Sequence, residues 1–336
     1  MIKFNLKENL MIALIVLTMF PFIIWFLISQ PTFSFGSENS ETTFVKAENL
    51  KKHVYTIVET FNDRGYTNIE MLDNTAEYIH NEFSKYSDEV SYQTFEVQAF
   101  LDEPKREYRN VIANFRGAEG CDDEIYIVGA HYDTFAGLSG ANDNTSAVAG
   151  LLELARLFKE HPPKCNLQIV AYSLEEPPFF RTQNMGSFIH AKSLKENNIK
   201  VKLAIVLDMI GFYSDEENSQ SYPFTFMGWY YPSKANFISI VSNLSLENIV
   251  HTRDAKSIFK ASSDLPVYSI NAPSFVPGID FSDHQNYWKL GYPAIFITDT
   301  AFYRSDNYHT LKDTPESLNY DKMAKVVEGV FEVIKF

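Results

Sequence analysis

The alternation of apolar and polar positions divides the chain into a membrane-like start and a globular remainder. Leu10 to Ser29 reads LMIALIVLTMFPFIIWFLIS, an uncharged run of about the 20 residues a helix needs to cross a bilayer. Pro21 sits near its middle, a position a membrane helix tolerates. Lys3 and Lys7 precede the run, and the next charges after it are Glu38 and Glu41, so the basic bias keeps the N-terminus inside the cell. The expectation is a cytoplasmic stub at 1–9, a transmembrane signal anchor at 10–29 and a tether at 30–44 rich in Ser, Thr and Glu. A cleaved signal peptide is the competing reading, since Ser34-Phe35-Gly36 forms a small-x-small site. The folded domain is placed at 45–336, in the extracytoplasmic space.

Within that domain, Val45–Phe61 and Asn74–Tyr86 carry apolar residues three and four apart and predict amphipathic helices. Tyr92–Phe100 and Arg109–Phe115 predict a hairpin. The apolar strands Ile125–Gly129, Leu167–Leu174, Val201–Leu207 and Pro293–Thr298 then alternate with helical segments such as Ser146–Lys159. Such alternation predicts a three-layer α/β/α sandwich around a mixed, mostly parallel sheet.

Composition narrows the function. Across 336 residues there are 29 Lys and Arg against 43 Asp and Glu, a formal net charge of −14, which repels phosphate backbones and excludes nucleic-acid binding. Hydrophobic residues at 45% exclude a disordered chain. The two cysteines, Cys121 and Cys165, form no CxxC pair, so any metal is held by His and carboxylates. Each cysteine precedes a strand, and two readings stay open: an extracytoplasmic disulfide or two free thiols.

In an open α/β sheet, ligands bind beyond the carboxyl ends of the strands, and polar residues gather there. His131 and Asp133 follow Ile127-Val128-Gly129-Ala130; Asp143 lies in Gly140-Ala141-Asn142-Asp143-Asn144; Glu175 and Glu176 end Ile169–Leu174; Asp208 ends Ala204–Leu207. His309 lies before the segment Asp313-Thr314-Pro315-Glu316, where Thr314 reads as a helix cap and Pro315 as a first helical residue. Taken singly, each has an ordinary structural role. Adjacent acids at a buried strand end repel one another unless a cation lies between them. Two histidines and three carboxylates suffice for two nitrogen and oxygen metal sites when Asp143 is shared.

HYDT, GANDN, LEE, LDMIG and YHTLKDT, in this order, resemble the di-zinc exopeptidases of the bacterial leucyl aminopeptidase and glutamate carboxypeptidase type, over about Asn110 to Phe336. The resemblance implies two zinc ions per chain, bridged by Asp143, with His131 and Asp208 completing one site and Glu176 and His309 the other. It implies Glu175 as general base, Asp133 as the carboxylate that orients His131, and a strained peptide at Asp143–Asn144. The implied activity is hydrolysis of a peptide bond, with an aminopeptidase ahead of a carboxypeptidase and a peptide as partner. The segment Ser282-Asp283-His284 is similar to one that lies beside the active site in the family. The candidates for substrate contact are His284, Phe179 and Tyr213, with Phe180, Trp229 and Tyr230 as further aromatics near the motif ends. A backbone-bonded structural role for His284 and core packing for the aromatics stand beside that reading.

The chain departs from the family pattern at Pro177–Met185, nine residues between Glu176 and Gly186 where a short turn is usual. An insertion there is similar to glutaminyl cyclases, which share the fold but use one zinc ion. A single-zinc cyclotransferase is therefore the alternative reaction, and a catalytically inactive binding ectodomain the alternative class. GANDNTSAVAGLLELARLF resembles the peptidase form more closely. Oligomeric state, side-chain preference and native metal are left open by the sequence.

Overall fold

In the computed structural model, which describes residues 6–29 and 44–335 except 88, 119–120, 122–123 and 136, eight strands form one sheet ordered β1-β2-β4-β3-β5-β8-β6-β7. The strands are β1 Glu89–Val97, β2 Arg106–Phe115, β3 Glu124–His131, β4 Asn166–Tyr172, β5 Lys200–Leu207, β6 Ile238–Ser242, β7 Val267–Asn271 and β8 Ala294–Thr298. Pairs β3/β4, β3/β5, β5/β8 and β6/β7 run parallel. Pairs β1/β2, β2/β4 and β6/β8 run antiparallel. The sheet is mixed, with parallel pairing at its centre.

Period-two alternation assigns the two faces. On one face, Val128 and Ala130 of β3, Leu167, Ile169 and Ala171 of β4, and Leu203, Ile205 and Leu207 of β5 enter the main core. That core is completed by helices α2 Ala47–Thr60, α4 Ala147–Glu160, α6 Leu246–Ser262 and α8 Tyr320–Lys335. On the other face, Ile127, Val170, Tyr172 and Ala204 pack against α5 Gly186–Glu196 and α7 His284–Lys289. The result is the expected three-layer arrangement. Helix α3, Ile69–Phe83, begins five residues before the predicted start, because Asn68 caps it by accepting from the Met71 N–H at 3.4 Å.

The remaining N-terminal helix, α1, spans Leu6–Ser29 with Pro21 inside it, and its described apolar side chains from Leu10 to Ile23 are exposed. Among the described residues no helix is long and apolar enough to cross a membrane, so the transmembrane helix expected at 10–29 is not found there. Apart from Phe44, the tether expected at 30–44 lies outside the described residues. Cys121 and Cys165 form a disulfide with 5.3 Å between their Cα atoms, which decides between the two readings of the cysteine pair. It joins the loops that lead into the neighbouring parallel strands β3 and β4.

Candidate active site

The strands β3, β4 and β5 end side by side, so the residues just past them converge. His131 is the last residue of β3 and is buried. Its Nδ1 faces the Asp133 carbonyl oxygen at 3.1 Å and the Asp133 carboxylate at 3.5 Å. Its Nε2 lies 3.4 Å from Asp143 Oδ1 and 3.6 Å from Asp208 Oδ1. The other Asp143 oxygen, Oδ2, lies 3.1 Å from His309 Nε2, which is 3.2 Å from Glu176 Oε1. Asp143 thus turns one oxygen to each histidine.

These contacts form two groups, His131 with Asp143 and Asp208, and Asp143 with Glu176 and His309, in each of which the ligand atoms lie within 4.8 Å of one another. Bonds of 2.0–2.1 Å at tetrahedral angles separate ligand atoms by about 3.3 Å, close to the spacings above. His131 Nε2 is buried with no hydrogen-bond partner among the described residues, which a metal bond would supply. Electrostatics agree. Burial pushes Glu175 well above the usual carboxylate range, with Asp208, Glu176 and Asp283 adding to it against the pull of His131. Burial and the Asp143 charge raise Glu176 to about 7, and burial raises Asp208. Asp143, although buried, is held below the usual range by His131 and His309. So many acids in one enclosed space call for bound positive charge, and a donor set of His and carboxylate suits zinc.

Backbone features aim each ligand. Asp143 sits in the kinked turn Ala141–Ser146, where it and Asn144 leave helical geometry (φ −105°, ψ 89° and φ −130°, ψ 35°) and the Asp143–Asn144 peptide is cis. Asp313 accepts from the N–H groups of Asn142 at 2.8 Å and Asp143 at 3.0 Å. The Asn144 amide donates to Leu207 O and accepts from Met209 N–H, both at 3.0 Å, bracketing Asp208. Asp133 accepts from the N–H groups of Glu175 at 3.1 Å and Glu176 at 3.0 Å. It therefore fixes the paired acids as well as His131. His309 adopts φ 52° and is stacked between Tyr308 and Phe135, with ring centroids at 3.8 and 4.4 Å.

Glu175 belongs to neither ligand group, yet it lines the same cavity. That cavity, about 380 Å³, runs from Asp143, Glu175, Glu176, Asp208 and His309 along the β8-β6-β7 part of the sheet. Phe180, Tyr222, Met227, Tyr231, Phe281, Phe302 and Tyr303 form much of its wall, and among the described residues no Lys or Arg does.

The three expected substrate contacts are not brought there. His284 is fully buried, its Nε2 2.7 Å from Ile279 O and its ring stacked on Phe296 at 4.6 Å. Phe179 is buried edge-on against Tyr66 and Tyr108, while its neighbour Phe180 faces the cavity. Tyr213 donates to Ile210 O at 3.1 Å and packs beside Arg304 and Lys322. Trp229 is 80% exposed and, like Tyr230, lies off the wall. Tyr222, Phe281 and Phe302 line the cavity from segments with no periodic pattern and so carry no sequence signal, whereas Tyr308 adjoins His309 in the YHTLKDT motif.

Comparison with known proteins agrees with this geometry. The model of Peptidase family M28 matches residues 110–334. The Escherichia coli (strain K12) protein YfbL is 42% identical over 328 residues, spanning 94% of this chain and 97% of its own. Among solved structures, Legionella pneumophila LapA aminopeptidase superposes with TM-score 0.62 at 19% identity, covering 86% of this chain and 71% of LapA. Fimbriiglobus ruber glutaminyl cyclase does so with TM-score 0.64 at 18% identity, covering 89% and 97%. At that identity the two structures speak for the fold alone. The family match spans the strand ends that carry both ligand groups, and the chain accordingly belongs to Peptidase family M28 and is a zinc metallopeptidase.

Proposed function

We propose that the protein is a membrane-anchored zinc aminopeptidase acting outside the cytoplasm, with two zinc ions per chain and Glu175 as general base. The observation that carries the reading is the pair of ligand groups sharing Asp143, with Glu175 beside both and part of neither. His131, Asp143 and Asp208 would hold one ion; Asp143, Glu176 and His309 the other. Zinc there would polarise the scissile carbonyl and make the attacking water more acidic.

The chain's own groups do the rest. Asp133 holds Glu175 through its backbone N–H, so the carboxylate is set before substrate arrives. Glu175 accepts the proton from the attacking water and returns it to the leaving amine. The apolar wall receives the side chain on the acyl side of the scissile bond. A carboxypeptidase needs a cation for the substrate's terminal carboxylate; among the described residues no Lys or Arg lines the cavity, and Arg181, which lies over the wall rings of Phe180 and Phe281, is paired with Asp280. This favours recognition from the amino end.

Anchoring is supported by the uncharged run at 10–29 with Lys3 and Lys7 before it and by the exposed apolar side chains of α1. The Cys121–Cys165 disulfide supports an oxidising, extracytoplasmic setting. Membrane fractionation with protease treatment of intact cells tests both. Domain cleavage from outside is the expected result, and protection refutes the placement.

The function itself is tested by zinc per chain together with hydrolysis of aminoacyl anilides with apolar residues. Two ions with turnover are expected, and Glu175→Gln is expected to keep both ions while losing about 10²–10⁴-fold in turnover. Loss of metal in that variant refutes the role of Glu175. A single ion with cyclisation of an N-terminal glutamine makes the protein a cyclotransferase, and no metal at all makes it a binding ectodomain.

A further inference from the structure

Arg64 lies between α2 and α3, ahead of the residues 110–334 that match the family, and is 1% exposed. All five of its guanidinium N–H groups have acceptors. Nε donates to Tyr132 O at 2.7 Å; Nη1 to Phe61 O at 2.9 Å and Ser139 O at 3.0 Å; Nη2 to Gly140 O at 3.4 Å and Thr145 Oγ1 at 2.7 Å. Its backbone N–H donates to Thr134 Oγ1 at 3.1 Å, and its carbonyl accepts from Thr134 N–H at 3.3 Å.

Every one of these acceptors is uncharged. A buried arginine is ordinarily paired with an acid; this one instead donates to four carbonyls and a hydroxyl on three chain segments, two of which, the end of β3 and the stretch before the Asp143 turn, are also joined by Thr134 Oγ1 donating to Leu138 O at 3.0 Å. Tyr132 lies between His131 and Asp133. Gly140 and Thr145 flank Asp143 within its turn, and Gly140 takes φ +53° with no room for a Cβ, which would fall 2.1 Å from Asp143 O. One rigid, planar fork therefore joins the end of β3 to both ends of the turn that carries the shared ligand. Lysine lacks the donors to do so.

The segment that supplies Arg64 is itself fastened down. Glu153 of α4 accepts from Lys46 N–H at 3.0 Å and the Asn49 amide at 2.9 Å, and Glu328 of α8 accepts from the N–H groups of Phe44 and Val45 at 3.0 and 3.1 Å.

We propose that Arg64 is a positioning residue of the metal centre, fixing the loop with His131 and Asp133 relative to the turn with Asp143 at the separation both ligand groups require. This rests on the reading that those groups hold metal. It makes the helical pair α2 and α3 part of the site's scaffold, although both lie outside the family match.

The experiment measures zinc affinity of the full chain by competition with a chromophoric chelator, with circular dichroism of the metal-free protein recorded alongside. Arg64→Met and Arg64→Lys are expected to weaken zinc binding about 10–100-fold, the range for residues that orient metal ligands. The control is Gly329→Ala, whose new methyl would meet the Phe259 ring at 2.5 Å between α8 and α6; it is expected to lower thermal stability and keep zinc affinity. Wild-type affinity in a folded Arg64→Met, or an equal loss of affinity in Gly329→Ala, overturns the proposal. Should Arg64→Met fail to fold, Thr145→Val decides together with Arg64→Lys, since it removes the Nη2 acceptor along with the hydroxyl's own bond to Gly140 O at 2.6 Å: a several-fold loss shared by both variants supports the proposal, and an unchanged affinity in either overturns it. A wild-type chain that binds no zinc is a separate result, which removes the metal reading and this proposal with it.

Discussion

Asp133→Asn tests how the paired acids are held. In the wild type each carboxylate oxygen accepts one backbone N–H, from Glu175 at 3.1 Å and from Glu176 at 3.0 Å, and Oδ1 also faces His131 Nδ1 at 3.5 Å. An asparagine keeps one acceptor and turns an NH₂ group towards the other N–H, so one bond becomes a donor–donor clash. Losing a hydrogen bond to a charged acceptor costs about 1.5–3 kcal/mol. If the main chain moves to relieve the clash, Glu175 and Glu176 move with it. That energy corresponds to roughly 10–150-fold in an equilibrium or rate, consistent with the range of about 10–100-fold found for groups that orient metal ligands. The assay is kcat and KM on an aminoacyl anilide together with zinc affinity by chelator competition. Both kcat and zinc affinity are expected to fall by about that factor, because the same carboxylate sets the base and a ligand, while KM changes little. A variant within twofold of wild type in both would show that the paired acids are held by something other than Asp133.

Two further predictions concern stability. His190 is buried, with Nδ1 2.8 Å from Tyr287 Oη and Nε2 3.2 Å from Gln168 Oε1, and burial lowers its pKa to about 3. The unfolded chain takes up this proton near 6.5, so its contribution is complete above pH 6.5 and is lost as pH falls towards 3, by up to about 5 kcal/mol; His190→Gln should flatten the acid limb of a stability profile between pH 6 and 4, and an unchanged limb refutes the assignment. Replacing both Cys121 and Cys165 by Ser releases a loop of 44 residues and should cost up to about 4 kcal/mol, read as a lower melting temperature, with zinc affinity unchanged; a melting temperature equal to wild type refutes it.

The sequence displays the site more clearly than the pocket, and the reason is physical. His131, Glu175, Glu176 and Asp208 follow apolar strands that must be buried, so chain order alone brings them to one edge of the sheet. Their surroundings obey no such rule. Helix α3 starts five residues ahead of its apolar periodicity, at a point set by a single cap, Asn68. Strands β6 and β7 are five residues each and stand among polar loops, too short for alternation to be distinctive. Phe179 and Phe180 are adjacent and chemically identical. Which of them meets the cavity is decided by the rotation of a loop, and no periodicity records that.

His284 and His309 make the same point with opposite outcomes. Each is a histidine beside an aromatic-rich loop, and each has aromatic rings against it: Phe296 and Trp288 on His284, Tyr308 and Phe135 on His309. What separates them is the partner at Nε2. For His284 it is a carbonyl, Ile279 O, in a closed interior where burial lowers the pKa to about 3. For His309 it is two carboxylates from different loops, Asp143 and Glu176, which raise the pKa to about 10 against the effect of burial. A histidine between two acids is a position a metal ion would fill; a histidine bonded to a carbonyl and stacked on the sheet is packing. Arg64 belongs to the same class of hidden residue. In Phe61-Asn62-Asp63-Arg64-Gly65 it reads as an ordinary loop arginine, because its five acceptors come from positions 61, 132, 139, 140 and 145, brought together only once β3 and the Asp143 turn are in place. The ligands of the site are thus written locally in the chain, while the residues that hold them apart are defined by the fold.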